Sequence, residues 1–122
     1  MEIGPALTAT LTQTRAWVTM KSGRFAEGLR IFEEAARAYQ AAALSLGEHY
    51  IEYADALMEL RLLPEATTAA RQAVREFSGT GIPLMAAEAQ LRVAQLTLLA
   101  GDYDAAVTAA AAAAAAAVTA AS

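Results

Sequence analysis

Gly23-Arg24-Phe25-Ala26-Glu27-Gly28, Arg61-Leu62-Leu63-Pro64-Glu65-Ala66 and Gly101-Asp102-Tyr103-Asp104-Ala105-Ala106 are three versions of one short segment. Their starts lie 38 and 40 residues apart, and each has a helical pattern before it and after it. Each opens on a turn-like residue, carries a large apolar residue third and a small residue sixth. Gly23 and Gly101 can end a helix in the left-handed conformation that other residues resist. Pro64 brings a fixed φ suited to the first turn of the next helix. Glu27, Glu65 and Asp104 fall in first turns, where the helix dipole favours negative charge. Phe25, Leu63 and Tyr103 have the size to plug the gap at the turn. The segment reads as a tight helix–helix corner, used three times.

Working outward from the corners gives six helices. The first covers about Pro5–Met20, with Leu7, Leu11, Thr14 and Val18 on one stripe. The second covers about Ala26–Leu44, where Phe25, Leu29, Phe32, Ala36, Tyr39 and Ala43 recur at alternating spacings of four and three. Arg30–Glu34 and Glu33–Arg37 stand four apart on its outer surface, and Gly47 breaks it. The third runs about Glu48–Arg61 and the fourth about Pro64–Phe77. Ser78-Gly79-Thr80-Gly81-Ile82-Pro83 is a loop of breakers. The fifth covers about Leu84–Ala100, and the sixth begins near Asp104. The fold class is all-α: three antiparallel helix hairpins in a single domain, with units of about 5–44, 48–79 and 83–121.

Composition agrees and narrows the function. Of the 122 residues 57% are hydrophobic, but 34 are alanine, so half of that figure is methyl groups. Alanine favours helix strongly and buries little area. Alternating apolar-polar runs and β-branched clusters, which a sheet requires, are absent. Net charge is −4, and the nine Lys and Arg are scattered between Arg15 and Arg92; no basic run offers itself to a nucleic acid. Without cysteine there is no disulfide, thiol nucleophile or thiolate metal site. The start, Met1–Thr10, lacks the features of a signal peptide. Ala105–Ala121 is apolar but marginal in length, and alanine gains little in lipid. A cytoplasmic protein off the membrane is expected.

Chemistry finds few footholds. His49 is the only histidine. Glu48 and Glu52 beside it make half a metal site, yet no other helix marks further ligands. His49 therefore reads as a surface or helix-start histidine. No Ser or Thr has an evident histidine partner, and Gly79-Thr80-Gly81 follows no strand, so neither hydrolysis nor phosphate binding is supported. No catalytic residue, metal or cofactor is expected, and the chain does not read as an enzyme. One pattern is more specific. Glu48, Glu52, Asp55 and Glu59 fall within about 60° of one another at ~100° per residue, with Tyr50, Tyr53, Leu57 and Leu60 on the opposite side.

The three corners together with their small residues resemble the tetratricopeptide repeat (TPR) family. Small residues fall at Ala16, Ala54 and Ala94 in the first helices, at Gly28, Ala66 and Ala106 opening the second helices, and at Ala35, Ala73 and Ala113 further on. Such residues let helix backbones approach until ridges enter grooves. The periods exceed the family's 34, and its early aromatic is Tyr50 in the second unit but Thr12 and Gln90 in the others. The resemblance implies a right-handed α-solenoid whose first helices line a concave groove for a partner peptide or domain. Carried over position by position, the groove residues are Gln13, Trp17, Met20 and Lys21, then Glu52, Asp55, Met58 and Glu59, then Arg92, Gln95 and Leu99. Its acidic centre favours a partner with a basic segment. The texture also resembles repeat regions of actinobacterial signalling proteins attached to caspase-like (CHAT) proteases or transcriptional activators. Two alternatives follow: a non-catalytic regulatory segment packing on a neighbouring domain, or a sensor closing on a peptide or small ligand.

Ala109–Ala117 is nine alanines in a row, and no charge follows Asp104. The helix has high propensity and weak packing. Either the coding sequence is alanine-rich here, or alanine stands in for residues of unestablished identity; an intact mass of 12.7 kDa selects the first. Lacking a polar outer face, this helix suits a homo-oligomer or packing on another domain.

Overall fold

The computed structural model describes residues 4–78 and 81–122. Gly79 and Thr80 of the breaker loop, and Met1–Ile3 of the N-terminal segment, lie outside the described residues. Six helices follow one another, with no strand among the described residues: α1 Pro5–Lys21, α2 Phe25–Ala41, α3 Gly47–Glu59, α4 Leu63–Ser78, α5 Pro83–Leu99 and α6 Tyr103–Ala121. The chain forms two compact units, Met1–His49 and Tyr50–Ser122.

The corners have one construction. After α1, Gly23 takes φ +93°, its N–H bonding Met20 O at 3.0 Å while Arg24 N–H reaches back to Thr19 O at 3.2 Å. After α3, Arg61 (φ +59°) and Leu62 repeat this pair of bonds to Met58 O and Leu57 O; after α5, Gly101 (φ +80°) and Asp102 bond Leu98 O and Thr97 O. This is the Schellman stop, which satisfies carbonyls that the helix end leaves open. The end of α2 uses it too, with Ala43 at φ +55°.

Arg61 therefore carries a left-handed backbone that its two counterparts assign to glycine. That conformation costs a side-chain-bearing residue about 1–2 kcal/mol, of which glycine's looser unfolded chain takes back roughly half. Arg61→Gly is expected to raise stability by about 1 kcal/mol, and Gly101→Ala to lower it by a similar amount, both read from urea unfolding midpoints. A destabilised Arg61→Gly protein contradicts this.

In the first unit α1 packs on α2 through small residues. Ala16 and Ala35 are fully buried, and a Cβ added at Gly28 would come within 2.9 Å of Met20 Cβ and 3.0 Å of Met20 Cα. Nothing larger than glycine fits there unless backbone shifts. In the second unit Ile51, Ala73, Phe77 and Ala89 form a buried cluster joining α3, α4 and α5, flanked by Tyr50, Val74, Met85 and Ala86. α5 also packs along α6. Of the nine small positions, all but Ala113 are buried.

The structure places the α1 stripe and corrects one expectation. Leu7, Leu11 and Val18 do share a stripe with Thr14, but it faces outward at 50–62% exposure. The inner face of α1 is Ala9, Gln13, Ala16, Thr19 and Met20. Close packing selects the small and slender side rather than the leucine side. Two of the three corner plugs fail, Phe25 being 50% and Tyr103 67% exposed, while Leu63 is half-buried. The hydrogen-bonded stop closes these corners by itself. On α2, Glu34 reaches across the hairpin to Arg15 at 3.1 Å, an exposed pair of small energetic weight.

Candidate functional site

The first unit buries a polar link inside an aromatic cluster. Trp17 meets Phe32 edge to face, with ring centroids 5.8 Å apart at 80°. The His49 ring lies 6.4 Å from Phe32 and 5.9 Å from Tyr39. Gln13 holds His49 twice: its Oε1 is 3.0 Å from His49 Nδ1, and its Nε2 donates to the His49 carbonyl at 3.4 Å. An amide oxygen only accepts, so the proton is on Nδ1. Burial pushes the His49 imidazole from its usual 6.5 down to about 4. His49 does start a helix, but it is 2% exposed, and the surface reading is corrected. It serves as a neutral core histidine.

The same cluster relocates two groove candidates. Gln13 and Met20 are 3% and 2% exposed, so neither offers its side chain to an outside partner. Gln13 is committed to His49, and Met20 covers Gly28. Trp17 is half-buried; Lys21 is exposed, with Nζ 5.5 Å from the Trp17 ring centroid in a cation–π arrangement.

In the second unit Asp55 on α3 and Arg92 on α5 form a half-buried pair. Nε donates to Oδ1 at 3.2 Å and the guanidinium reaches Oδ2 at 3.4 Å. The two groove candidates thus neutralise each other, and the acidic stripe loses its centre to an internal bond. Glu52 and Met58 are half-buried; Glu59, Gln95 and Leu99 are exposed. Among the described residues no group of three His, Cys, Asp or Glu is placed to hold a metal ion.

Sequence reasoning missed a second feature of this unit. Leu91, Leu98, Tyr103, Val107 and Ala110 line an open groove of about 360 Å³ between α5 and α6, almost wholly apolar. A signal for it existed. Leu91 stands 40 residues after Ile51, which is buried, and α6 supplies alanines where a core helix would supply larger groups. α6 is also long and apolar enough, by length and composition, to cross a membrane. No family model matches this chain, no curated protein matches it, and no solved structure matches its fold.

Proposed function

We propose that the chain is a TPR-like right-handed α-solenoid acting as a cytoplasmic, non-catalytic protein–protein interaction module. The observation that carries this reading is recurrence. The same Schellman corner returns in three hairpins with the same small residues, eight of the nine buried, which is how repeat arrays build a frame from short-range packing. In such a frame recognition falls to the outward side chains of the first helices. In the second unit these are Glu52 and Glu59 on α3 and Gln95 and Leu99 on α5; in the first they are Trp17 and Lys21. The acidic pair supports a partner peptide or domain with Lys or Arg.

The test avoids Asp55, because reversing it would set a cation against Arg92 and confound recognition with folding. A Lys/Arg-rich peptide selected by display against the chain is the probe. Glu52→Lys with Glu59→Lys is expected to weaken it about tenfold or more, and wild-type binding is expected to weaken as salt rises. Unchanged affinity in titration calorimetry, with helicity retained, sinks the recognition surface.

A second reading is favoured by one observation. Leu7, Leu11 and Val18 on α1, and Leu98, Tyr103 and Val107 on α5 and α6, are large apolar groups left exposed in contiguous sets. Such surfaces ordinarily mark interaction sites. They suit a regulatory segment that works by packing on a neighbouring domain.

A further inference from the structure

α1 and α5 are one helix used twice. Each has 17 residues, each begins on proline (Pro5, Pro83), and each ends at a glycine corner (Gly23, Gly101). Residues 78 apart therefore correspond. α4 and α6 correspond in the same way, beginning at Leu63 and Tyr103, as do α3 and α5 aligned on Ala54 and Ala94, so residues 40 apart match there.

Within the second unit α5 enters a seat made by α3 and α4. Ala89 packs with Ile51, Ala73 and Phe77, and Leu96 is 1% exposed. On the seat, Ile51, Ala66 and Ala70 are 0–7% exposed. The counterparts of both halves lie open elsewhere in the chain. On the entering side Met85, Ala89 and Leu96 correspond to Leu7, Leu11 and Val18, the exposed stripe of α1. On the seat side Ile51 and Ala70 correspond to Leu91 and Ala110, which line the empty α5–α6 groove. α1 is an entering helix without a seat, and α5–α6 is a seat without an entering helix.

We propose that copies of this chain associate head to tail, the outer stripe of α1 in one copy seating in the α5–α6 groove of another. Sizes match in a reciprocal way. Inside the second unit the bulk is on the seat, Phe77, and the small residue on the entering helix, Ala89. Between copies the entering helix brings Leu11, and the seat has Ala117 at the Phe77 register. The pair exchanges one large and one small apolar residue for another such pair, leucine standing for phenylalanine, a modest volume change of the kind apolar cores tolerate. Polarity matches too. The Asp55–Arg92 register becomes Gln95 with Thr14, so two neutral groups meet and no charge is buried alone. The two surfaces differ, so the contact is heterologous and association continues past two copies. This rests on repeat register alone and stands whether or not a basic peptide binds.

Sedimentation velocity over rising concentration tests it. Wild type is expected to grow from 12.7 kDa through dimer to larger species. Leu11→Glu and Leu91→Glu, both at exposed positions, are each expected to remain monomeric with unchanged helicity. Mixed one to one, they are expected to pair, because the first retains an intact groove and the second an intact stripe. The pair grows no further. Leu7→Lys and Leu98→Lys give an independent set should either glutamate variant misfold. Wild type monomeric throughout, a single variant that still associates, or a mixture that fails to pair each overturns the proposal. A self-complementary α6–α6 contact would leave Leu11→Glu dimeric and is excluded by its loss.

Discussion

Phe32→Ala is expected to lower stability by about 4 kcal/mol, the middle of the range for a truncated core aromatic. Phe32 is fully buried and is the largest such side chain among the described residues. The cost is high because its surroundings cannot collapse. The rings set against it, Trp17 and His49, are held by contacts of their own, Lys21 over Trp17 and Gln13 on His49. Phe32→Leu keeps most of the volume and is expected to cost less than half as much. Trp17 is the only tryptophan and touches Phe32, so its fluorescence in a urea titration reports this unit directly. A loss near 1 kcal/mol would mean that the aromatic cluster is not the core of the first unit.

The second large effect is a pH dependence. In the unfolded chain His49 titrates near 6.5; in the folded chain burial holds it at about 4. The unfolded state therefore binds the proton first as pH falls. The stability that neutral His49 contributes is complete above pH 6.5, declines as pH drops below it, and is gone once pH passes about 4. Each tenfold difference in proton affinity between the two states is worth about 1.4 kcal/mol, so the loss is roughly 3 kcal/mol. His49→Gln keeps a donor for Gln13 and does not titrate. Its stability relative to wild type is expected to improve by that amount between pH 7 and pH 4. Parallel stability curves for the two proteins would show that His49 is not buried neutral.

Much of the fold is legible because local chemistry and packing agree. Gly23, Gly101 and Pro64 mark corners through backbone demands that few other residues meet, and all six helices begin within one residue of the positions those signals give. Function-bearing faces are harder. Periodicity groups Leu7, Leu11 and Val18 correctly but does not say which side of a helix turns inward. In ordinary helices the larger apolar side does; here close backbone approach at Gly28 selects the slender side. Gln13 was legible as a polar residue on a first helix, but its partner His49 is 36 residues away, and no local pattern joins them. Asp55 and Arg92 present the same difficulty 37 residues apart. Separate positions on a wheel cannot show that two opposite charges quench each other.

The alanine helix has a consequence for how the molecule melts. Only Ala106 and Ala109 of α6 are buried, so its helicity rests on intrinsic propensity rather than on burial. Enthalpy of unfolding and change in heat capacity both follow the surface exposed, and the last three turns of α6 expose little that is not already exposed. They fray gradually from Ala121 backward while the two cores lose structure sharply. Helix content measured by circular dichroism then declines with a sloping baseline beside the calorimetric peak, and the two probes part company. A single all-or-none transition describes the packed hairpins and not the whole chain.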